Sequence, residues 1–331
     1  PTATPSASPS ATPSDTASPS PTEAAPEPSG SPSSGVPNGR LGANFVAVFE
    51  ADESRQLGLF AKATGKLVND LGVTVGPGDV QPQATPDGAY IYFLHHSGDA
   101  CESGLYRVPT AGGGAERLVD PQQQVEAFAL NGDGTRVIAV RQNDCGTPKA
   151  KRVLTEYDAA TGDVVADHAI TAAADTAVTA LAWHPAKDLI AAVRTGRGAT
   201  YSVETFELSA GGTTKPAPVQ ELPNCLGRIR IVRFATDALY IARDCMNPEN
   251  AEKAGNISRD PLAEGPLLTE TTDPGTAVAG MYVDAATENL VFATVRWLEE
   301  DDEGPTTVYS VHSGTPEKLF GIPQKLTELV W

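Results

Sequence analysis

Residues 83–94, Gln83-Ala84-Thr85-Pro86-Asp87-Gly88-Ala89-Tyr90-Ile91-Tyr92-Phe93-Leu94, contain two short runs of strand-forming character separated by a tight turn. Pro86 presets φ and Gly88 supplies a positive φ, so the chain reverses between the runs. The second run is rich in β-formers. After a loop comes Gly104-Leu105-Tyr106-Arg107-Val108, then the turn Ala111-Gly112-Gly113-Gly114 and a last short run, Glu116-Arg117-Leu118-Val119. Four short strands in about 40 residues make one blade of a propeller, and recurrence at this period means a repeat array.

The same order recurs along the chain. Phe128-Ala129-Leu130 meets Asn131-Gly132-Asp133-Gly134 and then Val137-Ile138-Ala139-Val140. Ala180-Leu181-Ala182-Trp183 meets His184-Pro185-Ala186-Lys187 and then Leu189 to Val193. Weaker copies span Arg228–Thr269 and Ala277–Ile322. That makes five full units and two fragments. Residues 41–71 carry only three strands, and the missing first strand stands at the other end as Leu326-Thr327-Glu328-Leu329-Val330-Trp331. An open ring would leave unpaired strand edges, so the termini are expected to share one blade. The reading is an all-β, six-bladed β-propeller of four-stranded blades over residues 41–331. A seventh blade would need about 50 more residues.

Residues 1–40 differ. Pro, Ser, Thr, Ala and Glu dominate, no aromatic residue occurs, and Val36 is the sole branched aliphatic. Such a segment cannot bury enough apolar surface to offset its ordering entropy, so a disordered linker is expected. At about 3 Å per residue it would reach on the order of 100 Å if extended. It resembles the Ser/Pro/Thr/Ala-rich stalks of actinobacterial exported lipoproteins and membrane-anchored receptors. The sequence begins at Pro1 rather than Met, and no apolar run of 18 residues occurs. Membrane contact is therefore expected only through an N-terminal anchor outside this chain. The localisation so implied is extracellular or cell-surface.

The formal net charge is −18, from 24 Lys and Arg against 42 Asp and Glu. This balance argues against a nucleic-acid partner, which needs a basic footprint. Four cysteines allow three pairings, and the repeat chooses among them. Cys101 and Cys145 follow the second strands of adjacent blades, on one face. Cys225 and Cys245 flank two antiparallel neighbours at the same end. The expected disulfides are Cys101–Cys145 and Cys225–Cys245, which imply an oxidising compartment.

The unit at residues 83–118 resembles the TolB-like and WD40-like propeller repeat through Pro86-Asp87-Gly88, Leu105-Tyr106, Gly112-Gly113 and Arg117-Leu118. Ala182-Trp183-His184-Pro185 is a looser match. The Trp-Asp dipeptide of WD40 repeats and the helical N-terminal domain of TolB are missing. The resemblance therefore implies a fold and not a role.

Loop length concentrates on the face that carries the cysteines, and recognition is expected there. Second strands end in Arg141, Arg194, Arg243 and Arg296, with His95 at the corresponding place in an earlier blade. Read functionally, they form an arc of cations for an anionic or carbohydrate ligand. Read structurally, a repeated arginine pairs with nearby carboxylates such as Asp144 and Asp244. Polar first-strand residues near the channel mouth are Gln81, Glu126, Thr179, Arg228, Arg230 and Glu328. Glu126 and Glu328 could meet at a Ca²⁺ centre, although no Asn joins them. The acidic run Glu299–Glu303 lacks the ligand spacing of a calcium loop. His95 and His96 point to opposite faces of a strand, and Asn256-Ile257-Ser258 matches the N-glycosylation pattern.

The leading expectation is a monomeric, surface-tethered binding or sensor module without a cofactor. Its partner would be a protein or a cell-envelope glycan. Two alternatives stay open: a calcium-dependent hydrolase or lyase at the channel mouth, and an envelope assembly scaffold.

Overall fold

The computed structural model describes residues 40–51, 54–78, 80–97, 101–119, 124–147, 150–168, 177–196, 201–208, 214–216, 227–246, 253–261, 268–271, 276–285, 287–296, 305–312 and 315–331. The expected linker lies outside them except for Arg40, as do Cys225 and the acidic run 299–303.

Six antiparallel four-stranded sheets form the propeller. Blade one joins β1 (Asn44–Ala51), β2 (Ser54–Ala61) and β3 (Leu67–Val75) to the C-terminal strand β24 (Leu326–Val330), in the order β24-β1-β2-β3. Blade two holds β4 (Gln83–Ala84), β5 (Tyr90–His96), β6 (Ser103–Pro109) and β7 (Glu116–Arg117). Blade three holds β8 (Gln124–Leu130), β9 (Arg136–Asn143), β10 (Lys151–Asp158) and β11 (Val164–His168). Blade four runs through β12 (Ala177–Trp183), β13 (Leu189–Thr195), β14 (Tyr201–Glu207) and β15 (Thr214–Pro216). Blade five contains β16 (Ile229–Phe234), β17 (Ala238–Met246), β18 (Lys253–Pro261) and β19 (Leu268–Thr271). Blade six contains β20 (Thr276–Val283), β21 (Leu290–Arg296), β22 (Thr306–His312) and β23 (Thr315–Ile322).

The turn that opened the reading has the expected chemistry. Gly88 adopts a φ of +68° and donates its N–H to the Thr85 carbonyl at 2.9 Å. Asp87 Oδ1 accepts from Thr85 Oγ1 and from the Ala89 N–H.

Apolar side chains collect in six layers, each between two neighbouring blades. Strand side chains alternate between faces, so each blade feeds both its neighbours. Ala127, Ala129, Ala180, Ala182, Ala277 and Ala279 sit on inner strands, where the ring tapers and space is least. The layer between blades six and one is aromatic. Phe45 stacks on Phe60, Phe320 and Trp331 at ring separations of 5.3, 5.9 and 5.5 Å. Trp331 is fully buried, so the last residue of the chain locks the ring where its two ends meet. Here Gly280 is needed for close approach, because a Cβ at that position would lie 2.6 Å from the Leu329 nitrogen.

Candidate functional site

One irregularity recurs in every blade. The first strand carries an extra residue relative to the second, between Val125 and Ala127, Val178 and Ala180, Ile229 and Ile231, and Val278 and Gly280. In β24 the extra residue is Thr327. In blade two the Val80 carbonyl accepts from the Leu94 N–H at 2.7 Å while Gln83 pairs with Tyr92, which leaves Gln81 at a φ of +51°. A bulge bends its strand and re-aims the extra side chain. The bulge residues Gln81, Glu126, Thr179, Arg230 and Thr327 include four of the six polar channel positions read from the sequence.

Gln81, Glu126 and Thr179 line the channel towards the cysteine-bearing face. Gln81 Nε2 donates to the Thr179 carbonyl at 2.9 Å, a link from blade two to blade four. Glu328 accepts from the Val80 N–H at 2.6 Å and from the Gln81 N–H, and Arg55 lies 3.7 Å from it. Arg55 also donates to the carbonyls of Gly76 and Gly78 and to Thr327 Oγ1. Glu126 receives Arg152 Nε on both oxygens at 2.8 Å and accepts from the Val178 N–H at 3.2 Å. Arg230 lies 3.6 Å from Asp244, whose N–H donates to the Arg228 carbonyl at 2.9 Å. Glu126 and Glu328 are thus each engaged by a different arginine and by the backbone of the following blade.

Register separates the expected arc of cations into two sets. Arg141, Arg194 and Arg243 occupy one equivalent position, opposite Val125, Val178 and Ile229. In blade six that position belongs to Thr294, and Arg296 lies two residues further on. In blade two it belongs to Leu94, with His95 one residue beyond. The correspondence assumed for Arg296 and His95 is therefore corrected. Sequence spacing missed it because strand ends do not mark the register, which the bulge in each first strand sets.

The three equivalent arginines turn along their own blades. Arg141 reaches Thr155 Oγ1 at 2.6 Å and Asp167 at 3.1 Å. The hydrogen bond from Thr155, with Arg141 adding to it, holds the Asp167 carboxyl below its usual range. Arg194 lies 2.9 Å from Glu204. Burial pushes the Arg243 guanidinium down while the buried Asp260 holds it up. The carboxylates come from third and fourth strands rather than from Asp144 and Asp244. Arg296 is exposed at the end of β21. His95 sits edge-on to Tyr106 at 5.6 Å, and burial lowers its pKa.

The channel opens at both ends. At the cysteine-bearing mouth a cavity of about 200 Å³ is lined by Gln81, His96, Ser103, Gln124, Glu126 and Thr179. The Cys101–Cys145 disulfide bridges the loops of blades two and three on this face, with a Cα separation of 5.7 Å, as expected. The Cys225–Cys245 pairing cannot be followed because Cys225 lies outside the described residues, though Cys245 is not a free thiol. Asn256 is buried within β18, 4% exposed, so the glycosylation pattern there is not presented to a modifying enzyme.

At the opposite mouth, ringed by the first hairpin turns, lies a larger cavity of about 340 Å³. Arg40, Gln83, Trp183, Arg233, Tyr282 and Asp284 contribute its polar and aromatic lining. Sequence reading placed Arg40 in the linker and passed over Arg233. The signal for Arg233 was available. It pairs with Tyr240 at the position that Ala84, Ala129 and Ala182 occupy in three other blades.

No protein-family model matches the sequence, and no curated protein matches it. Solved structures do resemble it. TolB from Acinetobacter baumannii superposes with a TM-score of 0.57 at 13% identity, over 88% of this chain and 66% of that one. A candidate TolB from Agrobacterium tumefaciens gives 0.54 at 13%, over 86% and 91%. Kuenenia stuttgartiensis hydrazine synthase gives 0.52 at 13%, over 82% and 74%. At such identity the likeness is one of fold, and the chain is a six-bladed propeller of TolB-like form.

Proposed function

We propose that this propeller is an exported, monomeric binding module, held away from a cell surface by its N-terminal segment. It recognises a protein or a cell-envelope glycan through its cysteine-bearing face. The observation that carries this reading is the Cys101–Cys145 bridge. It joins loops of two different blades at the mouth of the channel, 44 residues apart in sequence. A crosslink there leaves each blade's own sheet unchanged and restrains the loops relative to one another. Loops so restrained lose less freedom on meeting a partner. Disulfides also persist in oxidising compartments, which supports export.

The test is site-specific photo-crosslinking in the native host. Crosslinkers at Gln142 and Lys151 sit on the cysteine-bearing face, and those at Asp87 and Asp133 sit in turns on the opposite face. Adducts with an envelope protein or glycan from the first pair, and none from the second, are expected. Adducts from the second pair alone would sink the proposal.

A further inference from the structure

We propose that Arg40 and Arg233 form an anion site in the turn-side cavity, and that it takes a carboxylate carried on a compact apolar body. This site lies at the mouth opposite to the proposed recognition face and stands independently of that reading.

Two cations sit in one cavity of a strongly acidic chain. Arg233 spends one guanidinium donor on the Val232 carbonyl at 2.9 Å, and Arg40 spends one on the Ala84 carbonyl at 2.7 Å. A guanidinium has five donors. Among the described residues neither arginine has a carboxylate within ion-pair distance. Burial pushes the Arg233 guanidinium down to about 10, with Glu328 opposing and the neighbouring Arg40 adding to the fall. Burial is also the main cause that lowers Arg40. Both arginines are thus held as cations at a cost that a bound anion would relieve.

Two carboxylates beside the cavity have contacts of their own. Glu328 is held by two backbone N–H groups and faces Arg55. Asp284 Oδ1 accepts from the Thr287 N–H and hydroxyl, each at 2.8 Å, within its own turn. The wall also includes Leu130, Phe234, Met281 and Val330, which suit an apolar body. A cavity of about 340 Å³ lies at the small end of ligand sites. A monoanion costs less to desolvate than a dianion. Two sources share this chemistry: a short free carboxylic acid, and the C-terminal residue of a peptide.

Titration calorimetry on the full chain, with the change in intrinsic tryptophan fluorescence as a second readout, tests the site. The probes are N-acetyl-leucine, its amide, hexanoate, inorganic phosphate, and a Leu-ending tetrapeptide with a free or amidated C-terminus. The free acids are expected to bind at least about tenfold more tightly than the amides, the equivalent of one charge-assisted contact. Tighter binding of hexanoate identifies a free acid, and tighter binding of the tetrapeptide identifies a C-terminus. Either supports the shared chemistry. R233M should lose about tenfold in affinity for the acids and R233K less. If R233M does not fold, the contrast between acid and amide on the unaltered protein decides. Equal binding of acid and amide overturns the proposal. So does phosphate binding as tight as the acids, or no saturation by any acid at millimolar concentration.

Discussion

The two mouths of the channel are built by the same six strands, yet they treat charge in opposite ways. At the cysteine-bearing mouth four arginines meet carboxylates: Arg152 with Glu126, Arg55 with Glu328, Arg141 with Asp167, Arg194 with Glu204. The bulges concentrate polar residues there, and the pairs neutralise them while tying inner strands together. At the turn-side mouth Arg40 and Arg233 enter a cavity of mixed polar and apolar lining, and among the described residues neither has a carboxylate within ion-pair distance. A charge paired within the fold reads as architecture, whereas a buried cation without an ion-pair partner can be offered to a ligand. Counting arginines by position in the repeat therefore finds three that the fold pairs, and passes over Arg40 and Arg233.

If the cysteine-bearing mouth is held by its crosslink, removing that link should cost the most. For 44 residues between the cysteines, chain entropy gives about 4 kcal/mol. Denaturant unfolding of the C101S/C145S variant should show a loss of this order, with acid binding at the turn-side mouth unchanged. Loss of both together would mean that the two mouths are one cooperative unit.

The ion pairs are the next level. Glu126 and Arg152 are 9% and 14% exposed, so E126A removes the carboxylate that a mostly buried cation and the Val178 N–H both use. A loss of about 3 kcal/mol is expected by the same unfolding measurement. A neutral result would show that water enters this mouth freely and that the pair contributes little.

The smallest effect is one of pH. His184, 1% exposed, contacts the Thr236 carbonyl through Nε2 at 3.0 Å and accepts the Ala186 N–H on Nδ1 at 3.1 Å. That arrangement needs the neutral ring, and burial lowers its pKa from the ordinary 6.5. A lowered folded-state value means that stability is fully present above 6.5 and is lost as pH falls through the folded value. A decline in stability on going from pH 7 to pH 5 is expected in denaturant unfolding, and H184Q should remove part of it. His95, lowered in the same direction at the other mouth, retains its own share. The carboxylates Asp87, Asp133, Asp158 and Asp167 are also lowered, from 3.8, so their contribution fades only in more acid solution.

Much of the ring was legible because strand-turn-strand signals are local. Pro86-Asp87-Gly88, Asn131-Gly132-Asp133-Gly134 and His184-Pro185 each mark a first hairpin, and the Leu326–Trp331 strand stood out because blade one lacked its own. The site was less legible. Glu126, Thr179 and Arg230 were visible as polar residues in apolar strands, but their partners Arg152 and Asp244 come from other strands of the same blades. Arg40 was hidden by the composition of the residues before it. It belongs to the propeller because its backbone N–H meets the main-chain oxygen of Trp331 and its side chain meets the Ala84 carbonyl.

The sequence by itself determined the blade count, the closure by the C-terminal strand and the pairing of Cys101 with Cys145. All three follow from periodicity and turn chemistry along one chain, where residue order is enough. Tertiary structure decided the rest: the bulge that each first strand carries, the register that separates Arg296 and His95 from the other three cations, and the cavity that gathers Arg40 and Arg233. Those depend on how six inner edges converge on one axis. Which charges meet there is set by distance across the ring, and distance across a ring is not written in the order of residues around it.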